Sequence, residues 1–249
     1  MMITLKSPSE LARMREAGRI VAVVLALLRE KIAPGVTTEE LNALAEETIL
    51  KHGAVPSFKG YRGYPAALCV SVNEEVVHGI PGSRVINEGD LVSMDVGTIY
   101  KGFQGDAAIT VAVGEVSPAA RRLLEVTAGA LEAGIAQCRA GQHMGDVSAA
   151  IQNYAESRGF SVVREYTGHG IGRKMHEDPQ IPNFGEPGRG ALLRPGMTFA
   201  LEPMVTMGTW RTRVLDNGWT VVTLDGQLSA HFEHTIAVTD DEPEILTRL

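Results

Sequence analysis

Cysteine is scarce in this sequence. Cys69 and Cys138 are the only two in 249 residues; they are too few for a disulfide framework and fit no metal-knuckle spacing. The chain is therefore expected where thiols stay reduced, with the cytoplasm as the default. Basic charge is also in deficit: the net charge is −7, and the acidic residues are spread along the chain rather than gathered in a tail. That balance argues against a nucleic-acid-binding surface as the main function. Long apolar runs are missing too. The strongest, Ile20 to Leu28 after Arg13, Arg15 and Arg19, is far short of the about 20 residues that a membrane span requires and lacks the small-residue cleavage site of a secretory signal. Phosphate-loop and nucleophile-elbow patterns are absent. Gly168-His-Gly-Ile-Gly-Arg173 places its third glycine one position early for a dinucleotide fingerprint, and His176-Glu177 opens like a zincin helix but meets Gln180 where the second histidine should stand.

What remains is a chain with 44% hydrophobic residues, enough to bury a full core in one α/β domain. Ser7-Pro8-Ser9-Glu10 opens a helix, with Ser7 as cap, Pro8 in the first turn and Glu10 completing a capping box. Thr37 and Glu40 open a second helix in the same way, and it closes at His52-Gly53. Ala66 to Val72, Leu91 to Tyr100 and Phe103 to Val113 read as strands, the last two joined as a hairpin at Lys101-Gly102. Ser117-Pro118-Ala119 opens a third helix, and a fourth is expected from Gly145 to Arg158, closed by Gly159. The landmarks then repeat. Ser7 and Ser117, Gly53 and Gly159, Gly89 and Gly196, Asp95 and Glu202 share an offset of roughly 107 residues, and His78-Gly-Ile-Pro81 echoes His176-Glu-Asp-Pro179. One domain over residues 1–249 is expected, built from two related α/β halves of approximately 1–114 and 115–249, with a site at their junction.

Polar residues that interrupt apolar strands supply the chemistry. Asp95 sits in Leu91-Val-Ser-Met-Asp-Val-Gly97, where an uncompensated carboxylate is costly. Asp106 is on the other arm of the hairpin and shares a face with Asp95 if the turn has an even number of residues. Glu202 interrupts Met197-Thr-Phe-Ala-Leu201, and Glu233 interrupts the strand that follows the Asp225-Gly226 turn. His169 is expected after a strand, on a glycine-rich bend where backbone can approach a ligand. Taken singly, each carboxylate is more often a solvated surface group and His169 a hydrogen-bonded structural histidine. Together they would repel and raise one another's pKa unless cations held them, and two divalent ions would balance four carboxylates. The oxygen-rich donor set suits Mn²⁺, Fe²⁺, Co²⁺ or Mg²⁺, and the histidine tilts the choice toward a transition metal.

The set Asp95, Asp106, His169, Glu202 and Glu233, in that order and spacing, resembles the type I methionine aminopeptidases, members of the pita-bread fold. The resemblance covers essentially the whole chain and includes Gly60-Tyr-Arg-Gly-Tyr-Pro65, Ser71-Val-Asn-Glu-Glu-Val-Val-His-Gly-Ile-Pro81, Thr167-Gly-His-Gly-Ile-Gly172, Leu201-Glu-Pro203 and Phe232-Glu-His-Thr235. It implies an α/β (α+β) fold of two pseudo-symmetric halves, with an antiparallel-rich sheet covered by helices. It also implies the short bacterial form, without an N-terminal zinc-binding extension or the helical insertion of type II enzymes. By this resemblance Asp106 and Glu233 bridge two metals, Asp95 completes one, and His169 with Glu202 completes the other; the ions expected are drawn from Co, Mn, Fe, Zn and Ni.

The activity implied is removal of the initiator methionine from nascent polypeptide N-termini, with a preference for a small second residue. Two metals sharing a water lower its pKa and so supply the nucleophile, while one anchors the free amine. By resemblance Glu202 relays the proton, His78 contacts the peptide beyond the cleaved bond, and His176 stabilises the tetrahedral oxyanion. An apolar slot for methionine falls on Phe58, Tyr61, Tyr64, Cys69, Met175 and Trp219, whose aromatic and sulfur-bearing walls suit a thioether. Gly97, Met175 and His231 stand where Thr, Phe and Gln are common in bacterial members, so the departures fall on pocket shape rather than on the metal site. A monomer with no membrane contact is expected, with transient ribosome association implied by the substrate. The alternatives are a prolidase-like X-Pro peptidase, which uses a similar ligand set but usually carries an additional N-terminal domain, and a non-catalytic pita-bread binding module.

Overall fold

The computed structural model describes residues 3–249. Helices α1 (Pro8–Lys31) and α2 (Thr38–Lys51) come first, then strands β1 (Val55–Pro56), β2 (Leu68–Val72), β3 (Glu75–Val77), β4 (Leu91–Tyr100) and β5 (Phe103–Ala112). The order then returns to helices, α3 (Pro118–Ile135) and α4 (Met144–Glu156). The remaining strands are β6 (Ser161–Val162), β7 (Thr167–Gly170), β8 (Glu177–Pro182), β9 (Thr198–Leu201), β10 (Met204–Thr206), β11 (Thr212–Val214), β12 (Val221–Thr223), β13 (Ser229–His231), β14 (His234–Ala237) and β15 (Glu244–Ile245).

Both expected capping boxes form. Ser7 accepts from the Glu10 N–H while Glu10 accepts from the Ser7 N–H, and Thr37 with Glu40 does the same at α2; such a cap is worth about 1 kcal/mol. The Ile20–Leu28 run lies inside α1, where Ile20, Val21, Val24, Leu25 and Leu28 are buried against Leu41 and Ile49 of α2 and Leu68, Val92 and Met94 of the sheet. No helix among the described residues is long and apolar enough to cross a membrane. Where α1 crosses β5, a Cβ on Gly105 would lie 2.7 Å from the Gly18 nitrogen, so only glycine allows helix and strand backbones to approach that closely. Helices α3 and α4 cover a second core, in which Leu123, Leu131, Val147 and Ile151 meet Phe199, Leu201 and Ile236. Helix α4 starts one residue before the expected Gly145, because the Asp146 carboxylate accepts the His143 N–H at 2.7 Å and caps the helix there, and it ends at Glu156, before the expected Arg158.

Strand pairing among the described residues is antiparallel throughout, but it forms four sheets rather than one. Strand β4 pairs with β5, β2 and β1; a five-stranded sheet runs β15-β14-β9-β7-β8; the smaller ones run β13-β10-β6 and β11-β12-β3. The reason lies at two short breaks. Strands β9 and β14 pair with Leu201 opposite His234, and β10 and β13 pair with Met204 opposite His231. Between them the chain leaves the ladder at Glu202-Pro203 on one side and Phe232-Glu233 on the other, and Pro203 has no N–H to continue it. The hairpin β4–β5 docks onto this break: the Glu233 N–H donates to Ala108 O at 2.9 Å, and the Ala108 N–H donates to Glu233 O at 3.4 Å.

Candidate metal centre and its cavity

The two-residue turn at Lys101-Gly102, with φ of 46° and 79°, matches the right-handed twist of its strands. It sets Tyr100 opposite Phe103, Gly97 opposite Asp106 and Asp95 opposite Ala108, so Asp95 and Asp106 share a face as diagonal neighbours. Glu202 and Glu233 differ from the expectation. Neither interrupts a strand: both occupy the breaks between sheets, and the continuing register faces them toward each other across the seam. Leaving the ladder there frees both side chains to point at the hairpin that docks on the break. His169 also differs, for it lies inside β7, opposite Ala200 of β9 and Gln180 of β8. Its flanking glycines serve packing between strands rather than approach to a ligand: a Cβ on Gly168 would lie 2.5 Å from Ala200 O, and one on Gly170 would collide with Asp178 O.

These residues converge. One ligand atom from each of Asp106, His169 and Glu233 falls within a 4.8 Å cluster, and His169 Nε2 stands 3.9 Å from Asp106 Oδ2 and 3.5 Å from Glu202 Oε1. His169 Nδ1 lies 2.9 Å from Gly170 O. A carbonyl can only accept, so Nδ1 carries the proton and Nε2 turns its lone pair toward the carboxylates. Burial pushes the imidazole down to about 3, the nearby His176 adding to the effect, and it stays neutral.

The carboxyls move the opposite way. Burial raises Asp95 to about 7. Burial first, then the charges of Glu233 and Asp95, raise Asp106 well above its ordinary value; Glu202 rises through burial and then Asp106 and Asp95, and Glu233 through burial and then Glu202 and Asp95. Asp95 Oδ1, Asp106 Oδ1 and Glu233 Oε1 are buried with no hydrogen-bond partner among the described residues. Buried acceptors that face one another without donors are costly, and a divalent cation resolves both the missing donors and the mutual repulsion. Hard oxygen ligands with one imidazole fit that group.

A single cavity of about 140 Å³ joins this cluster to the expected slot: Asp95, Asp106, His169, Glu202 and Glu233 line it together with Phe58, Tyr61, Tyr64, Cys69, His78, Met175, His176 and Trp219. An apolar cavity of about 150 Å³ admits benzene, so there is room for one medium side chain. The Tyr64 hydroxyl donates to Gly79 O at 2.8 Å and its ring meets Trp219 edge-on at 5.1 Å. Burial holds the Cys69 thiol protonated, with Asp95 adding to the upward shift, so it forms a neutral wall. His78 follows β3 and Trp219 lies near the start of β12; these strands pair, which brings the two rings to 6.3 Å, and the Tyr166 ring is 5.7 Å from that of His78. Burial and His176 lower His78 to about 4. His176 is exposed at the mouth, with its ring 4.2 Å from that of His169 and its Nδ1 2.9 Å from the Tyr61 hydroxyl.

Arg62 lines this cavity beside Tyr61 and also a wider groove that holds Lys6, Arg173 and Lys174. Thr235 was read only as part of a motif, although its hydroxyl holds the backbone of Asp106; nothing local to Thr235 signals a partner 129 positions away in the chain. His231 Nε2 is buried 3.8 Å from Glu233 Oε2, too far for a hydrogen bond, and has no partner among the described residues.

Comparison with known proteins matches residues 12–240 to metallopeptidase family M24. A methionine aminopeptidase of Clostridium perfringens is 54% identical over 246 residues, covering 99% of each chain. The crystal structure of a methionine aminopeptidase from Thermotoga maritima superposes with a TM-score of 0.98 at 52% identity, over 100% of both chains. An Xaa-Pro dipeptidase from Bacillus anthracis is more distant, with a TM-score of 0.79 and 26% identity; the match covers 98% of this chain but 62% of that one.

Proposed function

This chain belongs to metallopeptidase family M24, and from that premise we propose that it is a methionine aminopeptidase that releases the N-terminal methionine of nascent proteins and peptides. The observation that carries the reading is the single cavity in which an apolar slot opens directly onto the carboxylate and histidine cluster. A side chain seated among Phe58, Tyr64, Cys69, Met175 and Trp219 places the adjoining backbone at the cluster. The X-Pro and non-catalytic alternatives are not favoured by the comparisons, where the full-length matches are methionine aminopeptidases.

In this reading Asp95, Asp106, His169, Glu202 and Glu233 would hold two divalent cations, with Asp106 and Glu233 serving both, Asp95 serving one, and His169 with Glu202 serving the other. Bound there, they would activate a water and polarise the scissile carbonyl. The chain's own residues do the rest. Glu202, at the edge of the cluster with Oε1 3.5 Å from His169 Nε2, would accept a proton from the attacking water and return it to the leaving amine. His78, on the cavity lining and edge-on to the Tyr166 and Trp219 rings, would contact the peptide beyond the cleaved bond. His176, with its ring 4.2 Å from that of His169, would donate from Nε2 to the developing oxyanion while Nδ1 accepted from the Tyr61 hydroxyl. The buried, unpaired thiols of Cys69 and Cys138 support a cytoplasmic setting, and nascent N-termini would be met as they leave the ribosome.

Turnover of Met-Ala-Ser and Ala-Pro peptides with Mn²⁺ or Co²⁺, before and after chelation, tests the reading. Release of free methionine from Met-Ala-Ser, lost on chelation and regained with metal, is expected. Preferential cleavage of Ala-Pro would favour the X-Pro alternative, and no turnover by metal-loaded protein would favour a binding module.

A further inference from the structure

Gly97 lies two residues after Asp95 on β4 and opposite Asp106 on β5, so a side chain there would share the face of both carboxylates and point at the cavity. Its φ is outside the left-handed region, and the backbone would accept any L-residue. Space is what excludes one. A Cβ on Gly97 would lie 2.7 Å from Phe58 Cε1, 2.8 Å from Met175 Cε and 3.1 Å from Ser57 Cβ. Phe58 and Met175 both line the slot.

The three neighbours differ in what they can yield. Ser57 is pinned, with its N–H on Gly97 O at 2.9 Å and its hydroxyl on Gln104 Oε1 at 2.5 Å. Phe58 is a rigid ring. Met175 is an unbranched thioether with three rotatable bonds, so its methyl moves most easily. Behind it the structure is closed, because Met175 packs in a cluster with Met14, Phe103, Ile171 and Leu246, all at most 3% exposed, and a close-packed interior has no space for a displaced methyl. The open direction is the cavity.

We infer that Gly97 sets the depth of the methionine slot through Met175: the absent side chain lets the Met175 methyl lie against β4 and keeps the slot deep enough for an unbranched side chain of four heavy atoms. The inference rests on the aminopeptidase reading above and adds a positioning residue that touches neither the metals nor the reacting carbonyl. A methyl group on Gly97 would drive Met175 into the slot and shorten it. A shorter side chain would still fit.

The test compares kcat/KM for Xaa-Ala-Ser peptides in which the first residue is norvaline, norleucine, methionine or ethionine, using the metal-loaded protein. Gly97→Ala should lower the methionine-to-norvaline ratio by about 10-fold or more, the discrimination that one methylene of pocket space provides, with metal content unchanged. Adding Met175→Ala to Gly97→Ala should restore the ratio, and Met175→Ala alone should raise ethionine relative to methionine. An equal loss on every peptide, or a shift in ratio that Met175→Ala does not rescue, overturns the inference. If Gly97→Ala fails to fold, the Met175→Ala arm decides: an unchanged ethionine-to-methionine ratio overturns it. Wild-type protein that binds metal but cleaves none of the peptides overturns the functional reading and this inference with it, a result distinct from active wild type with an unresponsive variant.

Discussion

The Thr235 hydroxyl clamps the backbone of Asp106 from both sides, donating to its carbonyl at 2.8 Å and accepting its N–H at 3.0 Å. Thr235 is on β14, next to the break that carries Glu233, and Asp106 is on β5. The clamp therefore fixes the spacing between the two carboxylates proposed to bridge the metals. Thr235→Val keeps the shape but leaves two buried backbone groups unpaired, a loss of about 1–3 kcal/mol each. Removing such a supporting partner typically lowers metal affinity by about 10- to 100-fold. Thr235→Ser should retain affinity. Metal titration of both variants checks this, and wild-type affinity in Thr235→Val would disprove the clamp.

Proton and metal compete for the same carboxylates. Asp95 is raised from its ordinary value to about 7, so in the metal-free protein its contribution to stability is full below the unfolded carboxyl pKa and is lost as pH rises through 7. Asp106, Glu202 and Glu233 are raised in the same direction. A cation replaces those protons, so binding should release protons and weaken as pH falls below 7. The rise in Tm on adding Mn²⁺ should accordingly be larger at pH 7.5 than at pH 5.5. A flat or inverted dependence would contradict the shared carboxylate site.

Bridging ligands should matter more than terminal ones. Asp106→Ala or Glu233→Ala removes a ligand from both proposed ions, whereas His169→Ala removes one from a single ion, so the first two should retain less metal after dialysis. Equal retention in the three variants counts against the bridging assignment.

His176 is proposed to act on the transition state. His176→Ala should lower kcat by about 10²-fold or more with little change in KM, the loss expected for an oxyanion donor. Tyr61→Phe removes the hydroxyl 2.9 Å from His176 Nδ1 and should lower kcat in the same pattern by a smaller factor. Steady-state kinetics on Met-Ala-Ser decide, and a change confined to KM in His176→Ala would place that residue in ground-state binding.

Selectivity for the second residue should be set by His78 more than by Arg62. His78 is half-buried and packs edge-on against the rings of Tyr166 and Trp219, while Arg62 is exposed and rests over the Tyr61 ring at 5.4 Å. A large second side chain must then shift the reacting carbonyl, and a displacement of about 1 Å can cost roughly 10² in rate. In direct competition Met-Ala peptides should outrun Met-Lys and Met-Leu peptides by that order in kcat/KM. Equal efficiency would mean that the crowded second-residue site does not exist.

The helix starts were legible because a capping box is complete within four residues, and Ser7–Glu10 and Thr37–Glu40 form as their spacing requires. The shared face of Asp95 and Asp106 was legible for a similar reason: a two-residue turn fixes the register by itself. Glu202 and Glu233 were harder to place, since apolar residues continue on both sides of each break and a run of apolar residues does not show where a ladder changes sheets. The strand setting of His169 was hidden by glycines, which favour bends locally but here admit the neighbouring backbones of β8 and β9.

The sequence alone determined the four helices, the β4–β5 hairpin and the donor chemistry of the proposed ligands, because these depend on residue identity and on contacts within a few positions. Only the tertiary structure decided that the cluster and the slot-lining residues share one cavity, that His169 presents Nε2, and that a side chain on Gly97 would meet Phe58 and Met175. Each of these depends on groups far apart in the chain and close in space. Burial, charge and steric contact act through that spatial distance, on which local sequence pattern has no hold.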